Sequence, residues 1–312
     1  MKAYGPVPSR RLGRSLGINN IPPKRCTYSC IYCQLGPTLD MESCRKNYYD
    51  PVELRKEVEQ KVQETREQKT RIDYLSFVPD GEPTLEEQLG KEIELTKTFG
   101  IDLAVISNAS LIWDDEVKSD LDKADWVSLK VDAVTEEIWR KVNRPHRSLN
   151  LDRILQGIED FAGDFDGILA TETMLIDGYN DGLEELERKA EFLERIEPDE
   201  AYISIPTRPP AEDWASPASE ESINKAYQLF SRGLDRVEYL LGYEGDEFSS
   251  TGNAKEDLLS ITSVHPMRKG GINELLRKAD ADWQIVEELI ENEEMIQTEF
   301  DGETYYMRKF SE

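Results

Sequence analysis

The 312 residues make one large domain or two ordinary ones. A hydrophobic fraction of 38% excludes a disordered chain, and 33% charged residues without any run of about 18 apolar ones exclude a membrane-embedded chain. The 64 Asp and Glu against 38 Lys and Arg leave a net charge of −26, which opposes indiscriminate binding to nucleic acid or anionic membrane.

The N-terminal MKAYGPVPSRR has no apolar stretch to act as a secretory signal, so the expected location is the cytoplasm. Residues 1–39 run against the overall charge: Lys2, Arg10, Arg11, Arg14, Lys24 and Arg25 are present, and no acid occurs until Asp40. Such a segment either faces an anion or pairs with acidic neighbours. Apolar runs at 16–18, 72–78, 103–107, 126–131, 168–175 and 201–205 read as buried strands of a parallel sheet, with 237–241 as an extra strand. Helical patterns lie between them: Trp113, Val117 and Leu121; Leu151, Ile154, Leu155, Ile158 and Phe161; Leu183, Leu186, Ala190 and Leu193. Six strands with intervening helices imply an α/β chain folded as a partial or full βα barrel, with catalytic loops at the C-terminal ends of the strands. The stretch TRPPAEDWASP at 207–217 reads as a loop after the sixth strand.

A second unit is expected from residue 246, giving domains 1–245 and 246–312. Leu258, Ile261 and Val264 suggest one helix, Ile272, Leu275, Leu276 and Ala279 a second, and Trp283, Val286, Leu289 and Ile290 a third. Two strand-like runs then flank Asp301-Gly302, a hairpin-turn dipeptide. Three helices and a hairpin imply a small α+β, winged-helix-like domain. Its third helix carries Glu287, Glu288 and Glu291, which would repel phosphates, so the unit is expected to bind protein and not duplex DNA.

All four cysteines lie between Cys26 and Cys44, and the run CTYSCIYC spaces three of them as Cys26, Cys30 and Cys33. Three thiolates on one tight loop can hold three irons of a [4Fe–4S] cube and leave the fourth iron open. A zinc site normally closes with four ligands. Here that would require Cys44 or one of two sequence-distant histidines, His146 and His265. Cys30 and Cys33 could also form a redox dithiol, which leaves Cys26 unexplained.

Cys-x3-Cys-x-aromatic-Cys, with Tyr32 before the last cysteine, resembles the cluster loop of the radical S-adenosylmethionine (SAM) superfamily. The likeness extends through YGPVPSRRLGRSLG, GEPTL at 81–85, ISN at 106–108, SLKVDA at 128–133, VNRPHRSLNLDRI from Val142, ETMLIDGYND from Glu172 and PTRPP from Pro206. Together these are similar to a group of radical SAM proteins related to the archaeal wyosine-base synthase. The resemblance covers about residues 1–240. It implies a partial (β/α)6 barrel, a [4Fe–4S] cluster on Cys26, Cys30 and Cys33, and SAM chelated to the open iron. It also implies one-electron cleavage of SAM to methionine and a 5′-deoxyadenosyl radical, with an electron donor such as flavodoxin or ferredoxin. Tyr32 would pack near the adenine, and Gly81-Glu82-Pro83 would take the SAM amino group mainly through backbone. Ser107 and Asn108 would bond the methionine carboxylate or ribose. Ser128, Lys130 and Asp132 share one strand face and either contact SAM or pair within the barrel; Glu172 is a candidate ribose ligand.

Arg10, Arg11, Arg14 and Arg144 are candidates for holding an anionic substrate, since a guanidinium suits phosphate or carboxylate. The substrate could be an RNA base, a protein side chain or an anionic metabolite. The wyosine synthase pattern carries three further cysteines for a second cluster; here Cys44 alone remains, so a second cube cannot be built from this chain. The competing functional class is a zinc- or iron–sulfur-binding regulator with a winged-helix interaction domain.

Overall fold

The computed structural model describes residues 2–242, 248, 250, 252–263 and 265–309. The expected boundary at 245/246 and the helix position Val264 lie outside them. The chain opens with β1 (Ala3–Ser9), β2 (Gly13–Ile18) and two short strands, β3 (Arg25–Cys26) and β4 (Asp40–Met41). Then come α1 (Pro51–Glu67), β5 (Tyr74–Phe77), α2 (Leu89–Lys97), β6 (Asp102–Ser107), α3 (Asp115–Leu121) and β7 (Trp126–Lys130). They are followed by α4 (Glu136–Val142), α5 (Leu151–Asp164), β8 (Ile168–Met174), α6 (Leu183–Ile196), β9 (Glu200–Ser204), α7 (Glu220–Phe230) and β10 (Val237–Leu240).

One eight-stranded sheet runs in the order β1-β2-β5-β6-β7-β8-β9-β10. All its pairings are parallel except β1 with β2. The sheet curls into a half-barrel with the helices packed outside, and the six units from β2 to β9 are the expected partial (β/α)6 barrel. An apolar-run reading starts the sheet at residue 16 and passes over β1. That strand contains Pro6 and Pro8, which cannot donate to a ladder; an edge strand tolerates them, and β1 is the edge. Its register shifts between Tyr4 and Val7, around Pro6.

Side chains alternate across a strand, so each strand is read as two columns. Leu75, Phe77, Leu103, Val105, Val127, Leu129, Leu169, Ala201 and Ile203 face outward into the main core beneath the helices. The alternate residues Ala104, Trp126, Ala170 and Tyr202 face the lumen and form an apolar floor. Leu12 joins that floor from the β1–β2 turn, which therefore plugs the barrel from below. Gly17 is required here: a Cβ would collide with the ring of Tyr4, whose hydroxyl donates to the Val78 carbonyl at 3.0 Å.

The C-terminal elements are α8 (Ala254–Thr262), β11 (Met267–Arg268), α9 (Lys269–Lys278), α10 (Gln284–Glu291), β12 (Met295–Phe300) and β13 (Glu303–Arg308). The strands form an antiparallel sheet in the order β11-β13-β12. Leu258, Ile261, Ile272, Leu275, Leu276, Val286 and Leu289 build a separate core, onto which Val7 of β1 also packs. Trp283 is partly buried and meets Tyr306 edge-on, while Glu287, Glu288 and Glu291 are exposed.

Candidate active site

Cys26, Cys30 and Cys33 are free, half-buried thiols after the C-terminal end of β2: Cys26 ends β3, and Cys30 and Cys33 lie on the loop between β3 and β4. The loop is stitched to the body by backbone bonds. Ile31 N–H donates to the Val142 carbonyl at 3.0 Å, His146 N–H to Thr27 at 2.8 Å, and Glu42 N–H to Cys26 at 3.1 Å. Two amides reach the sulfurs: Asn108 Nδ2 stands 3.5 Å from Cys26 Sγ, and Asn143 Nδ2 stands 3.5 Å from Cys30 Sγ. Burial pushes all three thiols up, Cys30 to about 12. Among the described residues no three His, Cys, Asp or Glu side chains converge around a single ion position. Three half-buried thiols with amide donors at two of them suit a metal–thiolate cluster, whose charge such hydrogen bonds offset. Cys44 is exposed and apart from them.

Behind the thiols lies the turn after β5. Gly81 has φ +153° and pairs with Arg25 as an isolated bridge; a Cβ would run into the Arg25 carbonyl. Glu82 is 1% exposed and is consumed internally. Its carboxylate accepts from Thr84 Oγ1 at 2.6 Å, Ser107 Oγ at 2.7 Å and Asn108 N–H at 2.7 Å. Burial raises its pKa despite these donors. Ser107 and the Asn108 backbone therefore fasten the turn, and Pro83 starts a one-turn 3-10 helix capped by Glu82.

Above the apolar floor the lumen column turns polar. Glu172 accepts from Lys130 Nζ at 3.0 Å and Ser204 Oγ at 2.9 Å, and pairs with Arg11 Nη1. Burial works to raise its pKa, but the two cations outweigh it and hold the carboxylate down at about 2. Lys130 is also raised: burial opposes its charge, and Glu172 and Asp132 overcome that. Asp132 accepts from Tyr32 OH, from Asn143 Nδ2 at 2.7 Å and from Met174 N–H at 2.9 Å. Lys130 Nζ sits 4.9 Å from the Tyr32 ring centroid. Ser128 is buried, and its hydroxyl has no partner among the described residues.

Lys130, Glu172 and Ser204 border a cavity of about 300 Å³ at the C-terminal ends of the strands, whereas Ser128 and Asp132 do not line it. Tyr32, Cys33, Lys130, Glu172, Arg10 and Arg11 line it together. Arg14 and Arg144 do not. The Arg14 backbone binds Asp73, its N–H donating to the carboxylate at 2.8 Å, at the N-terminal end of β2. Arg144 pairs with Glu212 on the surface and lies 5.8 Å from the Trp214 ring centroid. His146 is half-buried and bonded to Ser148. Residues that motif reading left without a role also line the cavity: Gln34, Arg208 and His265. Arg208 lies inside the PTRPP motif, which was the available signal; His265 has no local signal at all.

The model of the radical SAM superfamily matches residues 20–193. The chain therefore belongs to the radical SAM superfamily. A UPF0026 protein of Methanocaldococcus jannaschii is 44% identical over 308 residues, covering 98% of this chain and 95% of that one. A Brachyspira hyodysenteriae protein named GTPase Obg is 32% identical over 305 residues, 93% of this chain, which spans 44% of that longer relative. Among solved structures, TYW1 with a lysine–pyruvate adduct superposes with a TM-score of 0.55 at 16% identity, over 71% of this chain and 74% of that one. A radical SAM methyltransferase from Sphaerobacter thermophilus gives 0.54 at 16% identity, over 72% and 66%. These two likenesses are of fold. Membership of the superfamily brings a [4Fe–4S] cluster and SAM as cofactors. No helix of the described residues is long and apolar enough to cross a membrane.

Proposed function

We propose that Cys26, Cys30 and Cys33 hold the cluster and that the protein is a radical SAM enzyme acting on a substrate bound in the adjoining cavity. The observation that carries this reading is the placement of three half-buried thiols, with Asn108 and Asn143 on two of the sulfurs, next to a cavity that Cys33 lines at the strand C-termini. When bound, the cluster supplies the electron that splits SAM into methionine and a 5′-deoxyadenosyl radical. The chain's own residues bind and orient. Gly81 lets the turn backbone come close to the SAM ammonium, while Glu82, Ser107 and Asn108 keep that turn in shape. Tyr32 is fixed by Asp132 and Lys130 near the adenine side.

Lys130, Asp132 and Glu172 form the ionic frame of the lumen, and Glu172 meets ribose only if it keeps or exchanges its partners there. Arg10 faces the substrate, and Arg11 holds Glu172 in its ionised state. The reductant is of the flavodoxin or ferredoxin class, in the cytoplasm. The C-terminal elements are read as a winged-helix-like unit from about residue 246, docked on protein and not on DNA, because α10 shows three exposed glutamates to solvent. The test is anaerobic reconstitution followed by measurement of 5′-deoxyadenosine release under dithionite. Wild type should release it slowly without substrate, and Gly81→Val should lose SAM affinity. Unaltered SAM affinity in Gly81→Val would remove the turn from the site.

A further inference from the structure

Two of the three thiols share an asparagine with a buried carboxylate. Asn143, which follows α4, is 2% exposed. Its Nδ2 donates to Asp132 Oδ2 at 2.7 Å and stands 3.5 Å from Cys30 Sγ, with the Tyr32 hydroxyl also at 3.5 Å. Asn108, which follows β6, gives its backbone N–H to Glu82 Oε2 at 2.7 Å and turns Nδ2 to Cys26 Sγ at 3.5 Å. The other N–H of that amide goes to Thr27 Oγ1 at 2.8 Å. One asparagine ends a helix and the other a strand, yet both make the same bridge from carboxylate to sulfur.

The network fixes which way each amide faces. The Asp132 carboxylate accepts from Tyr32 OH, Asn143 Nδ2 and Met174 N–H. A carboxylate only accepts, so the side of Asn143 turned to it is the NH2 group. Asp132 is clamped in turn, its carbonyl accepting from Asn180 Nδ2 at 2.8 Å and Lys189 Nζ at 3.3 Å. In Asn108 the Oδ1 accepts from Ser110 N–H at 2.9 Å, which puts the NH2 group on the Cys26 side. To bond the methionine carboxylate or ribose of SAM, the Asn108 amide would have to give up one of its bonds.

The two sulfurs served in this way are the two with a carboxylate beside them. Burial is the first obstacle to negative charge on either thiol, and the next is Glu82 at Cys26 and Asp132 at Cys30. At Cys33 burial again resists charge, but the Leu35 N–H and the charge of Lys24 assist it. Reducing a cluster by one electron adds negative charge beside Glu82 and Asp132, where the low dielectric strengthens repulsion. An N–H aimed at a ligand sulfur offsets that repulsion, and such bonds are among the features that set a cluster's potential. We propose that Asn108 and Asn143 set the reduction potential of the cluster, raising it through N–H···S bonds against the buried carboxylates Glu82 and Asp132. The proposal rests on the reading that Cys26, Cys30 and Cys33 hold the cluster.

The test uses full-length protein reconstituted anaerobically, with asparagine carrying 15N at the side-chain amide. Pulsed electron paramagnetic resonance of the dithionite-reduced wild type should show 15N couplings from two amides. Asn108→Leu and Asn143→Leu should each lose one of them. In a mediated redox titration at fixed pH, the ratio of reduced to oxidised cluster at a given potential should fall about threefold or more in each variant. The two losses should multiply in the double variant, because among the described residues the two asparagines serve different sulfurs and share no partner. Should one variant fail to fold or to load iron, the other variant and the wild-type couplings carry the expectation. A loaded wild type without asparagine couplings, or iron-loaded variants that titrate like wild type, overturns the proposal. Iron per chain separates the two readings: a wild type that takes up no iron sinks the cluster reading, whereas normal iron without these couplings sinks this proposal alone.

Discussion

Along β6 to β9 most residues facing the helices are Leu, Val, Ile and Ala in one continuous core, with Ser107, Thr171 and Thr173 as polar members of the same columns. The lumen face of the same strands changes from Trp126 and Tyr202 at the floor to Lys130, Glu172 and Ser204 at the mouth. The apolar part of the outer face is stabilised by burial and accepts other well-packed apolar residues. The lumen face works as a set, because each charge there is tolerated only through its partner across the barrel.

The largest expected effect comes from an exception to this division. Glu92 of α2 is fully buried in the outer layer, and neither carboxyl oxygen has a partner among the described residues. Burial, reinforced by Glu86, pushes its pKa up to about 9. Between its ordinary value of 4.5 and about 9 the folded protein keeps a proton that the unfolded chain has released, so stability falls as pH rises. Glu92→Gln should remove a pH-dependent loss on the order of 5 kcal/mol across that window, read from urea midpoints at several pH values. Parallel curves for wild type and variant would show that the carboxyl is solvated.

On the outer face, Phe77→Ala should cost about 3–5 kcal/mol at every pH, the usual result of emptying a packed site. Glu172→Gln tests the lumen. It leaves Lys130 and Arg11 without their carboxylate and should cost about 3 kcal/mol at neutral pH. The wild-type contribution is present above the ordinary carboxylate value and is lost as pH falls from about 4.5 toward 2; the variant should lack that acid transition. An unchanged acid limb in a thermal or denaturant series would mean that the ionic frame adds nothing. Smallest of all, Glu212→Gln at the exposed pair with Arg144 should change stability by less than about 1 kcal/mol. A larger loss would place that pair in the body of the site.

The contrast also explains how much could be read beforehand. The outer columns write themselves into the sequence as apolar runs, so β2 and β5 to β10 were legible to within a few residues. α1 escaped that reading, because its buried stripe of Leu54, Val58 and Val62 is completed by Lys61 and Thr65 and surrounded by charge. The cysteine spacing and GEPTL located the cluster loop and the turn behind it. The roles of Glu82 and Ser107 were not legible, since whether a polar group faces a ligand or its neighbour depends on a fold that brings residues 82 and 107 within hydrogen-bond reach. His265 was invisible for the same reason: its partner Arg208 is 57 residues away.

The central claim is that three thiols on one loop hold a cluster with an open iron. Anaerobic iron reconstitution with electron paramagnetic resonance of the dithionite-reduced protein tests it most directly. The account predicts about four irons per chain and a reduced signal that changes when SAM is added. Cys26→Ala, Cys30→Ala or Cys33→Ala should each lose that signal, and Cys44→Ala should keep it. Loss of the cluster in Cys44→Ala together with bound zinc in the purified wild type would contradict the account.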